Sequence, residues 1–286
     1  MVAAMVGFTI NDTCMKAATA DLPVFQAIVL RGLLTTLALA VYGLASGAIK
    51  LPRGRADRTR LAVRTVAEVS ATFAFLLALK HMPLANLSAI LQFLPLAVTL
   101  GAALILGETI GWRRMTAILV GFVGVMTIIR PGSDGFDRWS VLGMVSMSCV
   151  VVRDLATRGL SGHVSSVTVA LAAALAVTVG GALVLPFAGV MAMTLPQGLQ
   201  IAGASTFLIV GYLTGVMATR TGDIAMVAPF RYASLVAAIV LGWAVFGQFP
   251  DRWTLIGGAT VVATGIYTFY RERTLAREAL VPVAAD

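Results

Sequence analysis

Apolar runs of roughly twenty residues recur along this chain, each closed by Gly, Pro or a cluster of charges. A helix needs about 20 predominantly apolar residues to cross the hydrocarbon of a bilayer. Set against that length, the runs predict ten helices, over about 2–18, 24–46, 61–80, 84–106, 114–130, 139–157, 164–187, 200–218, 223–246 and 253–271. Most connections are short, so successive helices run antiparallel, and no stretch is left over for a soluble domain. The predicted class is all-α: a polytopic membrane protein with ten transmembrane helices.

Polar residues interrupt several runs, and they do so at helical spacing. In 84–106, Ser88, Gln92, Pro95 and Thr99 are four, three and four apart, which puts them on one face of a 3.6-residue helix. Thr65, Glu68 and Thr72 form a stripe on 61–80. Arg31 and Thr35 are an i,i+4 pair on 24–46, and Ser205 and Tyr212 lie seven apart on 200–218. In 223–246, Arg231 and Ser234 are three apart, with Tyr232 beside them and Pro229 just before. Such stripes are costly against lipid and are expected to converge on an interior seam or a watery cavity. At 1.5 Å per residue, Glu68 sits roughly 10 Å and Arg231 roughly 12 Å inside their helix ends. That depth lets them meet if their helices are neighbours. Two readings stand for the pair: a salt bridge joining two parts of the bundle, or partners for the ammonium and carboxylate of a solute. Ser and Thr alone also serve as interhelical glue. Asp12/Lys16 and Asp154/Arg158 have the i,i+4 spacing of local ion pairs. Arg31 is expected to have a structural role, snorkelling outward or pairing with Asp12, and Lys80 and His81 to be solvated at a helix rim. Trp112, Trp139 and Trp253 fall at span ends, as interfacial anchors do. Trp243 fits either a lipid-facing position or a cavity wall.

Composition agrees with a membrane location. Of 286 residues, 59% are hydrophobic and 12% charged, about half the charge of a soluble domain. The net charge of +8 is scattered between apolar runs, which is what cytoplasmic loops require and argues against nucleic acid as a partner. With the N-terminus in the cytoplasm, fourteen of the twenty-one Lys and Arg residues fall in cytoplasmic segments and five outside, the loop KLPRGRADRTRLAVR (50–64) dominating. Both termini are therefore expected in the cytoplasm. Cys14 and Cys149 lie in apolar runs without CxxC spacing and read as packing residues. The N-terminus lacks a basic segment followed by a small-residue cleavage site, so no removable signal is expected.

The second half repeats the first. At an offset of 140, KHMPLANLSAILQFLPLAVTLGAALILGETI (80–110) aligns without a gap with RTGDIAMVAPFRYASLVAAIVLGWAVFGQFP (220–250), Gly107-Glu108 meeting Gly247-Gln248. NDTCMK (11–16) matches RDLATR (153–158) at an offset of 142. Five spans is an odd number, so the second copy enters the membrane upside down, as in secondary transporters that bind solute at the repeat interface. The expected units are 1–131 and 139–273, with a cytoplasmic tail at 274–286. PLANLSAILQFLPLAVTLGAALILGETI resembles the fourth-helix signature, and APFRYASLVAAIVLGWAVFGQFPD the ninth-helix signature, of the ten-helix EamA-type branch of the drug/metabolite transporter superfamily. The chain departs at Gln248, where an acidic residue is usual. Within the branch it looks most like bacterial exporters of aromatic and other neutral amino acids.

That resemblance implies a monomeric carrier working by alternating access, with amino acids as solutes and no cofactor or metal. The alternatives are a carrier of another metabolite, such as a vitamin or nucleobase, possibly running as an importer, and a membrane scaffold without transport. The expected substrate-binding residues are Glu68, Ser88, Gln92, Tyr212, Arg231 and Tyr232, with Phe73 and Phe93 as apolar walls and Pro95 and Pro229 as hinges. Proton coupling through Glu68 and simple facilitated diffusion both stay open. Enzyme classes are disfavoured: the chain has no glycine-rich phosphate loop, no HExxH motif and only two histidines, His81 and His163.

Overall fold

A computed structural model describes residues 1–132, 137–221 and 228–280. Its elements, in chain order, are α1 (Val2–Ala18), α2 (Val24–Ala45), α3 (Arg55–His81), α4 (Leu84–Leu91), α5 (Leu94–Leu106), α6 (Trp112–Ile129), α7 (Arg138–Arg158), α8 (Ser166–Ala188), α9 (Leu195–Thr221), a 3-10 segment (Ala228–Tyr232), α10 (Ala233–Phe246) and α11 (Arg252–Leu280). No strand occurs among the described residues. Among the described residues, eight spans are long and apolar enough to cross a membrane, with α4 and α5 together forming one of them. The protein is a polytopic all-α membrane protein.

Predicted and observed spans coincide closely, with three instructive differences. α3 begins at Arg55, so Arg58, Arg60 and Arg64, expected in a loop, are helical. The span at 84–106 is two helices rather than one. α11 continues through the expected tail as far as Leu280. The predicted start of the ninth span, 223–227, lies outside the described residues.

Packing joins the two halves of the chain. α3 packs along α7 and α1 along α9; α2 packs on α8 and α6 on α11; α4 meets α10. The buried core, including Met15, Ile28, Leu76, Leu87, Ile90, Leu96, Ile118 and Val261, lies where these pairs converge. The outer surface is equally apolar: Leu37, Leu104, Leu183, Phe187 and Trp243 are exposed, Phe187 by 91%. A soluble monomer does not present so continuous an apolar belt, whereas lipid requires one. Trp243 therefore faces lipid.

Polar contacts close both ends of the bundle. At the end carrying the basic loop 46–54, Asp57 accepts hydrogen bonds from the amide and hydroxyl of Ser161, at 3.1 and 2.6 Å. There Arg60 also donates to the carbonyl of Gly159 and Ser165 to that of Ala48. At the opposite end, Lys16 places its ammonium on the carbonyls of Leu79 and Met82, at 2.7 and 2.8 Å, capping the C-terminus of α3. This corrects the expected Asp12/Lys16 ion pair: packing α1 against α3 brings Lys16 to helix-end carbonyls. Gln26 bonds Met191 in both directions, and Arg130 pairs with Asp251. His81 stacks on Trp139 at 3.7 Å, so its ring packs on the neighbouring helix at the rim.

Candidate functional site

An interrupted helix and a 3-10 turn that leads into a second helix define the centre. α4 ends at Leu91, the chain turns through Gln92 and Phe93, and α5 starts at Leu94. Pro95, the second residue of α5, forces that turn: it has no N–H, and its ring would strike the carbonyl of Leu91 in a continuous helix. The amide of Phe93 bonds Ile90 instead, three residues back, at 3.2 Å. Pro95 thus sits just beyond the break it causes. The counterpart segment holds Pro229 in the 3-10 turn that leads into α10. The residues entering the two following helices match in conformation, Phe93 at φ −72°, ψ −13° and Tyr232 at φ −67°, ψ −11°.

The helices after the breaks also end alike. Gly107 and Gly247 take left-handed φ values of 71° and 64°, which glycine adopts without a Cβ penalty. The next amides, of Glu108 and Gln248, reach back to the carbonyls of Ala102 and Gly242, at 3.5 and 3.0 Å. These positions keep the offset of 140 seen in the sequence. Gln248 occupies the same backbone position as Glu108, and its amide needs no acidic side chain to make this contact.

The breaks touch. Gln92, 6% exposed, donates from Nε2 to Oγ of Ser234 in the first turn of α10, at 2.8 Å. Ser234 in turn donates to the carbonyl of Arg231, at 3.0 Å. Thr9 of α1 reaches the Ser234 carbonyl at 3.5 Å.

Beside this junction lies a cavity of about 470 Å³, walled by Pro95 and Thr99 of α5, Arg114 of α6, Asp154 and Arg158 of α7, Pro229, Arg231 and Tyr232 of the 3-10 segment, and Thr268 of α11. Its volume suits a small organic molecule. Arg114 donates from Nη2 to Thr99 at 2.8 Å, and Thr99 donates to the carbonyl of Pro95 at 3.0 Å.

A second cluster lies alongside. Glu68, halfway along α3, is held by Arg153 of α7 at 3.3 Å and by Arg64 one turn earlier at 3.4 Å. Arg153 also binds Asp154 at 2.9 Å, and Arg64 donates to Thr157 at 3.1 Å. Tyr212 lies within the electrostatic reach of Glu68, Arg64 and Arg153. Arg31 points inward, donating to Asn11 at 3.4 Å, while Asn11 donates to Asp12 at 2.8 Å. Arg31 feels both Asp12 and Glu68. Asp154 belongs to the cluster and to the cavity wall, so Arg153 and Asp154 connect the two.

The structure sorts the expected residues. Arg231, Tyr232, Pro95 and Pro229 come together on the cavity, and Gln92 lies at the junction beside it. Glu68 and Tyr212 belong to the charge cluster. The guanidiniums at Glu68 are those of Arg64 and Arg153 rather than Arg231, because α3 packs on α7. Asp154 pairs with Arg153 rather than Arg158, which turns to the cavity. Ser88 is half-buried on α4 and lends its carbonyl to the Gln92 amide at 3.1 Å. Phe73 meets Phe25 edge-to-face at 5.1 Å and Phe93 tilts against Phe122 at 6.3 Å, so both pack against other rings as core residues. Arg114, Arg153 and Asp154 were missed as site residues. Arg114 and Arg153 fall near the ends of the predicted spans 114–130 and 139–157, where a solvated cation is the default reading, although the match of NDTCMK to RDLATR marks 153–154 as a repeated position.

Residues 1–130 match the EamA-like transporter family. A riboflavin transporter of Rhizobium johnstonii is 31% identical over 208 residues, covering 70% of this chain and 66% of that protein. An S-adenosylmethionine uptake transporter of Rickettsia felis is 25% identical over 63% of this chain and 61% of its own length. A pseudopaline exporter of Pseudomonas aeruginosa is 28% identical over 91% of this chain and 90% of its own. The chain thus aligns with just under two thirds of the first two relatives. A solved crystal structure superposes with a TM-score of 0.63 at 20% identity, covering 96% of this chain and 98% of the other, so the fold is shared. Over its first half the chain is thus similar to the EamA-like transporters, and its likeness to the pseudopaline exporter runs across both halves.

Proposed function

We propose that this chain is a secondary carrier that moves a small organic solute across the bacterial inner membrane by alternating access. The observation that carries the reading is the cavity beside the Gln92–Ser234 junction, where the broken α4–α5 span and the 3-10 turn before α10 place Arg231 and Tyr232 against a space of metabolite size. Broken helices at corresponding places in two halves are how carriers build such sites. The helix pairing supports two repeats of opposite orientation, 1–131 and 139–273. Exchanging the halves turns α3 on α7 into α9 on α1 and leaves α2 on α8 and α6 on α11 unchanged. The basic loop 46–54 and the cavity mouth then face the cytoplasm, with both termini. Pro95 and Pro229 are the proposed hinges. Glu68, Ser88, Gln92 and Tyr212, which lie off the cavity wall, are the remaining proposed substrate contacts.

Amino acids, aromatic and other neutral ones among them, are the proposed solutes, with Arg231 meeting the carboxylate and export as the direction. Another metabolite, such as a vitamin, is the second reading, favoured by relatives that bear the names of riboflavin and S-adenosylmethionine transporters. The test is counterflow of labelled phenylalanine, tryptophan, threonine and riboflavin into proteoliposomes, with wild type and a folded Arg231→Ala variant. Amino-acid uptake that the variant loses supports the first reading. Uptake of riboflavin alone supports the second. Absence of any flux would remove the carrier reading itself.

A further inference from the structure

The two ends of the bundle agree in one contact and differ in another. Near the start of α2, Gln26 donates to the carbonyl of Met191 at 2.7 Å and accepts from its amide at 2.9 Å. Moved by the repeat offset of 142, Gln26 falls on Thr168, near the start of α8, whose hydroxyl accepts from the amide of Lys50 at 2.8 Å. Each end thus tethers the loop after one helix to the start of another, at corresponding positions. The same offset pairs Lys16 with Arg158, the last residues of NDTCMK and RDLATR, and here the symmetry fails.

Lys16 is 8% exposed. Its ammonium holds the carbonyls of Leu79 and Met82 at the C-terminus of α3, where backbone carbonyls lack partners in their own helix. It also lies 5.6 Å from the ring of Phe246 at the end of α10. Arg158, by contrast, is exposed and stands on the cavity wall. Among the described residues, α1 packs against α3, whereas the counterpart pair, α7 and α9, makes no packing of that extent. One end is therefore sealed by a cation on a helix terminus, and the other holds the corresponding cation in a cavity. Position alone does not explain this, because a lysine near a helix end has water within reach of its flexible stem. Lys16 turns inward instead and gives up hydration for two carbonyls and a ring.

We propose that Lys16 is a latch. It holds shut the end of the bundle opposite the basic loop 46–54, and it leaves the carbonyls of Leu79 and Met82 when that end opens. Arg158 is its counterpart, turning from the cavity to the last turn of α9 as the cavity closes. This rests on the carrier reading and names the contact that exchanges between its two states.

The test needs no solute. Cys14 and Cys149 are replaced by Ala, and one reporter is introduced at a time. Met82→Cys reports from the latched end, where Met82 is 2% exposed, and Phe269→Cys from the half-buried cavity wall. The full chain in nanodiscs reacts with a charged maleimide, with melting midpoints as the check on folding. The unlatched state of a two-state protein is a minor species, so Lys16→Met is expected to raise the Met82→Cys labelling rate about tenfold. It should lower that of Phe269→Cys, and Lys16→Arg should restore most of both differences. Arg158→Met, on the exposed wall, should do the reverse. An unchanged Met82→Cys rate in folded Lys16→Met would overturn the latch and leave the carrier standing. Faster labelling at both reporters would mean general loosening and would overturn it as well. If Lys16→Met does not fold, Arg158→Met decides: wild-type rates at both reporters overturn the proposal. Exchange of accessibility without flux of any solute in counterflow would keep the latch and remove the carrier.

Discussion

Gln92 and Ser234, 142 residues apart in sequence, hydrogen-bond at 2.8 Å and join the break between α4 and α5 to the first turn of α10. The break after α4 is not an isolated defect, because its Gln92 side chain is satisfied by the start of α10. Ser234 passes the contact on to the carbonyl of Arg231, so the backbone behind the cavity's arginine is tied to the turn in the opposite half. A displacement of α4 relative to α5 is felt at Arg231 through one side chain.

If that link has energetic content, it will appear as coupling. Gln92→Leu and Ser234→Ala are each expected to destabilise the protein by about 0.6–2 kcal/mol, the range of interhelical hydrogen bonds in membranes. The double variant should lose clearly less than the sum, with a coupling of about 1 kcal/mol. Unfolding in mixed micelles measures all three. Strict additivity would mean that the bond joins the breaks without stabilising them.

The charge cluster predicts an asymmetric response to mutation. Glu68→Leu leaves Arg64 and Arg153 facing each other with their shared carboxylate gone. Breaking a fully buried pair costs about 3–5 kcal/mol. The Glu68 side chain retains 20% exposure, so about 2 kcal/mol is expected. Removing Arg153 as well, in Glu68→Leu/Arg153→Leu, should recover part of that loss. A double variant less stable than Glu68→Leu would show that Arg153 acts through Asp154 rather than Glu68.

Much of this architecture is legible in the sequence, and the reason is geometric. Span boundaries follow from apolar length, and the break in the fourth span follows from Pro95, because a missing N–H acts locally. Gly107 and Gly247 mark corresponding helix ends for the same local reason. The partners of Glu68 were not legible. Arg64 and Arg153 lie near the polar ends of the predicted spans 61–80 and 139–157, where hydropathy falls off, yet α3 and α7 both continue past those positions and Arg64 is only 7% exposed. A long guanidinium at the edge of an apolar run is compatible with snorkelling outward or turning inward. Only the packing of α3 on α7 selects the second. Lys16 repeats the lesson: its spacing to Asp12 suggested a local pair, and the carbonyl end of a neighbouring helix outcompeted it.

At the opposite end of the bundle, Asp251 gives a pH-dependent signature. Partial burial raises its carboxyl pKa, but hydrogen bonds from Thr254 and the Arg130 guanidinium outweigh this and leave it below the ordinary 3.8. A depressed folded-state value stabilises the fold above the unfolded value, and the gain disappears as pH falls through the folded one. Wild type should therefore exceed Asp251→Asn in stability by up to about 1 kcal/mol between pH 5 and 7, the scale of an exposed pair. The two should converge as pH drops below 3.8. Melting curves over that range decide it; a constant gap would assign the effect to packing.

The crossing of α6 and α11 is set by two glycines that allow backbone to meet backbone. A Cβ on Gly257 would lie 2.5 Å from the carbonyl oxygen of Gly124, and one on Gly124 would lie 3.0 Å from that of Gly257. A carbonyl cannot rotate away as a side chain can, so Gly257→Ala must push α11 off α6, at a cost of about 1–3 kcal/mol. Gly198, in the first turns of α9, is the control: its added Cβ would meet only the flexible tip of Met193, at 3.4 Å. Gly198→Ala should gain up to about 0.5–1 kcal/mol from helix propensity alone. Opposite shifts in unfolding midpoint for the same chemical change would locate the close approach at Gly124 and Gly257. Equal shifts would mean that the two helices are not in contact there, and the pairing of α6 with α11 would have to be redrawn.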